Sequence, residues 1–124
     1  MPVPGARVPE ARAEEGGGRV EAFELGDLLA RRAASGELYH EFLRVPALSG
    51  GLYVLPAGGT DPQSPHREDE VYVVMSGRAA VTVGGEERPV AAGSVVYVPA
   101  GVEHRFHGVA EELVLLVLFA PAET

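Results

Sequence analysis

The sequence predicts an all-β barrel or sandwich preceded by one short helix, on three observations. Glycine and proline are abundant, 16 and 10 in 124 residues, which favours many turns over long helices. Short apolar runs rich in Val, Leu and Tyr recur between those turn residues from position 37 onward. Only one stretch, residues 27–35, carries both a helix start and a helix stop. A chain of 124 residues can build one real core but not two, so residues 19–124 are expected to form a single domain that holds whatever function there is.

Taken in order, residues 1–18 mix Pro2, Pro4, Pro9 and the Gly16-Gly17-Gly18 run with little to bury, and are expected to be a flexible arm. Val20, Ala22, Phe23 and Leu25 then read as a short strand. Asp27 caps a helix carrying Leu28, Leu29 and Ala33, which Ser35-Gly36 stops. Strands follow at 38–45 and 52–55, the second ended by Pro56 and the Gly58-Gly59 pair. Another at 71–75 runs into a Ser76-Gly77 turn, then 79–83 and a Gly84-Gly85 turn. Strands at 88–90, 95–98, 103–106 and 113–119 complete the pattern. Short strands at regular spacing favour a barrel, which leaves few exposed edges.

Charge and composition exclude several functions. With 18 acidic against 10 basic residues and a formal charge of −8, the surface repels phosphate backbones and anionic lipid, so neither nucleic acid nor membrane is expected as a partner. There is no cysteine, hence no disulfide, thiolate ligand or cysteine nucleophile. The first 18 residues lack the apolar stretch of a signal peptide, and the longest apolar run, 113–120, falls short of the ~20 residues a membrane helix needs. A cytoplasmic protein is expected. Ser49, Ser76 and Ser94 sit beside glycines in ordinary contexts with no nucleophile-elbow pattern, and no lysine follows any glycine pair as a phosphate loop requires.

The histidines carry the chemistry. His66 lies in the polar stretch Pro65-His66-Arg67-Glu68-Asp69-Glu70, just before an apolar strand. One reading is a solvated loop; the other makes His66 and Glu70 ligands of one metal. Four residues of straight strand span roughly 13 Å, too far for two side chains whose metal bonds are ~2 Å each. The chain must therefore turn between them, with His66 closing one strand and Glu70 opening the next. A helical pair starting at Pro65 is the rival geometry, which the run Val71-Tyr72-Val73-Val74 disfavours. Glu68 and Asp69 are surface residues by default. Beyond the Pro99-Ala100-Gly101 turn, His104 and Phe106 alternate onto one face, with Glu103, Arg105 and His107 on the other. If the first face is the interior, His104 points in and His107 out.

These two stretches resemble the two motifs of the cupins. Gly58 is followed by five residues, Ser64-Pro65-His66, three residues, Glu70, six residues and Gly77. Gly93 is followed by five residues, Pro99-Ala100-Gly101, two residues, His104, three residues and Gly108, where asparagine is common. The motif core thus runs over 58–108, and the chain is similar to small single-domain cupins of the conserved-barrel type. The resemblance implies a double-stranded β-helix, a jelly-roll barrel, with a divalent metal (Fe, Mn, Zn or Ni) inside on His66, Glu70 and His104. Ser64 stands where the first motif histidine belongs, so the fourth ligand position falls to Gln63 or Ser64; a hydroxyl is feeble beside imidazole. The resemblance also implies a small-molecule substrate entering from the open end, and commonly a homodimer. The segment 19–35, outside the motif core, is available to pack on a partner barrel.

Two histidines, one carboxylate and open positions suit non-haem Fe(II) oxygen chemistry, and equally Zn or Mn as Lewis acid. A dioxygenase-like or isomerase-like enzyme is expected, the alternative being a cupin that binds or senses a small ligand without converting it. Tyr53, Tyr72 and Tyr97 are candidate hydrogen-bond donors or acids in the cavity, against the ordinary role of strand tyrosines in packing.

Overall fold

The structure, a computed structural model, describes residues 19–62 and 65–124. The arm expected at 1–18 and the fourth-ligand candidates Gln63 and Ser64 lie outside the described residues. The order of elements is α1 (Leu25–Ser35), β1 (Tyr39–Val45), β2 (Leu48–Leu55), β3 (Asp69–Val83), β4 (Glu86–Ala91), β5 (Val95–Val98) and β6 (His104–Ala120).

The expected all-β class with one helix is met, but the segment 20–24 is not a strand. Phe23 instead packs edge-on to Phe42 of β1, with ring centroids 4.8 Å apart, while Leu25 already belongs to the helix. Nor does Asp27 cap that helix: Glu24 occupies the N-cap without a side-chain hydrogen bond, and Asp27 sits in the first turn, where its charge favours the helix dipole. Gly36, left-handed at φ 75°, ends the helix as expected, its N–H donating to the Ala33 carbonyl.

All strand pairing is antiparallel. In one six-stranded sheet the order runs β1-β2-β6-β3-β4, with β5 paired to the first part of β3. Two long strands form its spine. β3 and β6 pair from Asp69↔Ala120 at one end to Val83↔His104 at the other, with three register shifts between Val74 and Ala80. Those shifts correct two expectations. Ser76-Gly77 is not a turn but a bulge within continuous β3, and the strands expected at 103–106 and 113–119 are parts of one, β6, which begins at His104. A bulge bends and twists its strand without ending it, so each half of β3 can face a different neighbour: β5 near Glu70, β4 near Ala80.

Alternation along β2 and β6 divides the apolar residues between two cores. Tyr53, Leu55, Leu113, Leu115, Val117 and Phe119 point inward with Tyr72, Val74 and Phe106. Leu52, Val54 and Val114 point outward, where Leu28 of α1 covers them. The helix thus seals the outer face of its own sheet. No helix among the described residues is long and apolar enough to cross a membrane.

Candidate metal centre

The inner face of β3 presents Glu70, the start of β6 presents His104, and the loop before β3 presents His66. Contrary to expectation His66 closes no strand: it lies outside regular structure, and the chain bends at residues 67–68 before β3 begins at Asp69. The bend brings His66 and Glu70 together as the spacing argument required. The loop is stitched to the turn preceding β6, since Gly101 donates its N–H to the His66 carbonyl at 2.7 Å and Ala100 donates to Asp69 Oδ1 at 2.9 Å. Gly101 takes φ 79°, a backbone that L side chains rarely adopt, so the Pro99-Ala100-Gly101 turn positions both histidines at once.

The three candidate ligands converge. His104 Nε2 lies 3.1 Å and His66 Nε2 3.9 Å from Glu70 Oε1, and one ligand atom from each residue falls within 4.8 Å of the others. Glu70 and His104 are buried, and His66 is partly exposed at the cavity side. Neither oxygen of Glu70 receives a hydrogen bond from an ordinary donor among the described residues. The His104 nitrogen facing it can donate only when the ring is doubly protonated, because Nδ1 already serves the Val102 carbonyl at 2.9 Å. Desolvation pushes the His104 imidazole down, but the Glu70 carboxylate and the Val102 carbonyl outweigh it and hold the ring above the usual histidine value. A buried carboxylate facing two imidazole nitrogens, with a proton as its only neutralising partner among the described residues, is a donor set that fits a divalent cation.

Beside these residues lies a cavity of about 190 Å³, walled by Tyr39, Tyr53, Tyr72, Val117 and Phe119 and carrying His66, Glu70 and Glu123 at its polar end. Among the described residues no Arg lines it. Of the tyrosines singled out from the sequence, Tyr53 and Tyr72 are buried in its wall, and the Tyr72 hydroxyl sits 3.1 Å from His104 Nε2. Tyr97 is 57% exposed on the other side of the sheet and is not brought to the site. His107 faces outward as expected, with Nε2 2.8 Å from Thr82 Oγ1.

Four polar residues at or near the site carried no signal in the sequence. Asp61 is buried, accepting from the Tyr53 hydroxyl at 2.5 Å and from the Phe106 N–H at 2.9 Å, and so ties the loop after β2 to the start of β6. Burial and the Asp61 hydrogen bond both raise the Tyr53 phenol, which stays protonated. Asp61→Ala leaves two buried donors unmet, and should lower stability by about 3 kcal/mol or more in denaturant titration. Tyr39 also enters the wall, because Gly51 lets its ring lie flat on β2 where a Cβ would overlap it. Its hydroxyl has no partner among the described residues, and burial and Glu123 raise it too, keeping it a donor. Glu68, expected at the surface, is only 4% exposed and accepts from both the N–H and the hydroxyl of Thr124. Glu123 lies against the His66 ring.

Comparison with known proteins agrees with this fold. The family model described as "Cupin domain" matches residues 51–120. The chain is 57% identical over 105 residues to the uncharacterized protein SCO3923 of Streptomyces coelicolor, covering 85% of this chain and all of that one. A cupin 2 conserved barrel domain protein from Salinispora arenicola superposes with a TM-score of 0.61 at 22% identity, over 82% of this chain and 87% of that chain. A cupin family protein of Methanocaldococcus jannaschii with a double-stranded β-helix fold gives 0.62 at 20% identity, over 67% of this chain and 78% of the other. With the matched family model spanning more than half of its length, and with the double-stranded β-helix in common, this chain belongs to the cupin domain family.

Proposed function

We propose that the chain is a metal-dependent enzyme acting on a small organic molecule, with one divalent ion held by His66, Glu70 and His104. The observation that carries this reading is the fully buried Glu70 carboxylate, which among the described residues has no ordinary hydrogen-bond donor but faces two imidazole nitrogens. An uncompensated carboxylate in such a place costs several kcal/mol, and a cation removes that cost. When bound, the ion supplies Lewis acidity or, if it is iron, oxygen chemistry. The protein's own residues do the rest. The tyrosine and Phe119 walls exclude water and favour a ring-sized apolar body, since a cavity of ~150 Å³ already accepts benzene. Tyr39, whose hydroxyl has no partner among the described residues, can donate to an acceptor on the ligand. Away from the ion, the lining among the described residues holds Glu123 and no arginine, which disfavours anionic groups there.

Elemental analysis of protein prepared with Fe, Mn, Zn and Ni available tests the proposal. It expects close to one divalent ion per chain, lost in His66→Ala and in His104→Ala, whereas a metal-free wild type would refute it. Oxygen uptake with uncharged phenols and diketones then separates the dioxygenase-like reaction from an isomerase-like one. Bound metal without conversion of any of them favours a ligand-binding cupin.

A further inference from the structure

The segment that follows β6 crosses the site and is fastened more firmly than a connecting strap needs to be. Ala122 donates its N–H to the Pro46 carbonyl at 3.2 Å, Glu123 donates its N–H to Ser49 Oγ at 2.9 Å, and Arg44 Nη2 donates to the Glu123 carbonyl at 2.7 Å. Thr124 gives two further bonds to Glu68. Ser49 is fully buried and Glu68 nearly so, and buried polar groups are tolerated only when bonded. These anchors fix the Glu123 backbone from β1, β2 and the loop before β3, and they aim its side chain at one atom: Glu123 Oε2 lies 3.2 Å from His66 Nδ1.

We propose that Glu123 is the positioning residue for His66, holding its Nδ1–H and thereby turning the Nε2 lone pair toward Glu70 and the metal. The inference rests on the metal-site reading above. A neutral imidazole carries one proton, and a carboxylate can only accept it. Of the two carboxylates that flank the ring among the described residues, Glu123 is at 3.2 Å on the Nδ1 side and Glu70 at 3.9 Å on the Nε2 side. The nearer carboxylate favours the proton on Nδ1. His104 reaches the same tautomer through the Val102 carbonyl, so two rings are aimed at Glu70 by two different devices, one main-chain and one side-chain. His66 has the greater need of one, because it stands in a loop rather than a strand. Edge-to-face contact with Phe119, centroids 5.0 Å apart, limits its tilt but does not choose which nitrogen faces inward. Glu123 is not itself a member of the converging ligand group; it works from behind the ring, as outer carboxylates do in metal–histidine–carboxylate arrangements.

Two measurements test this on the full chain, with thermal unfolding as a check on folding. The first is the ¹⁵N spectrum of the His66 ring in the metal-free protein above the histidine titration range. The second is Zn²⁺ affinity by competition with a chromophoric chelator. Wild type should show one His66 tautomer, protonated on Nδ1. Glu123→Ala should show a mixture and bind Zn²⁺ about 10–100-fold more weakly. Glu123→Gln keeps an acceptor oxygen and should recover most of both, which a merely structural strap would not explain. An unchanged tautomer and unchanged affinity in Glu123→Ala overturn the proposal, while loss of Zn²⁺ binding in Glu70→Gln leaves the metal reading standing. Absence of Zn²⁺ binding in wild type, with the tautomer responding as expected, instead overturns the metal reading and supports the orienting role of Glu123.

Discussion

Replacing Glu70 with Gln should make the metal-free protein more stable and the metal-binding protein incompetent. The carboxylate is fully buried, and its one close partner among the described residues is a His104 nitrogen that must be protonated to donate. A glutamine side chain is close in shape, carries no charge to desolvate, and offers an N–H to the His104 Nε2 lone pair. Removing an uncompensated buried charge in this way should raise stability by about 1–3 kcal/mol, read as a higher denaturant midpoint in chelator-treated protein. The same change removes the only charged ligand, so affinity for divalent ions should fall by more than the roughly 10–100-fold that loss of an outer partner costs. Opposite signs for the two quantities mark a residue kept for ligation rather than for folding. Lower stability of the metal-free variant would mean that Glu70 and His104 form a structural ion pair.

Gly77→Ala should be the most destabilising glycine substitution in the sheet, costing about 3 kcal/mol or more. Gly77 takes φ 95°, and a Cβ there would overlap the backbone carbonyl of Glu112 on the paired strand, an atom that cannot swing away. Gly85 separates the two effects. It shares a positive φ of 88° but has nothing within 4 Å of the added carbon, so Gly85→Ala should cost only the ~1–2 kcal/mol of the left-handed backbone. Equal losses at the two positions, measured by chemical denaturation, would show that the bulge tolerates a wider separation of β3 and β6.

The bulge and the ligand set also show what was legible in the sequence. Gly77 was visible as a motif glycine, but a glycine after a serine looks the same in a turn and in a bulge, and only pairing with a strand remote in sequence decides between them. That is why β3 and β6 each appeared in pieces. His66, Glu70 and His104 were legible because they pair chemistry with fixed spacing, and because alternation beyond Gly101 put His104 and Phe106 on the buried face. Asp61, Glu68 and Glu123 were not, since a carboxylate beside a proline, in a charged triplet or after the last strand reads as solvated until the fold brings donors to it. Tyr39 was hidden in another way, its place in the cavity depending on Gly51 of the neighbouring strand. Local pattern recovers the candidate ligands that motif spacing marks; the polar residues packed around them come from contacts remote in sequence.

The central claim, that His66, Glu70 and His104 hold one divalent ion, is tested most directly by anomalous diffraction from crystals of the zinc-loaded protein. The account predicts one strong anomalous peak at bonding distance, about 2.0–2.2 Å, from His66 Nε2, His104 Nε2 and a Glu70 oxygen, with Glu123 behind the His66 ring and outside bonding range. A peak elsewhere, a peak bonded to Glu123 with Glu70 left out, or no peak at full zinc loading would contradict it.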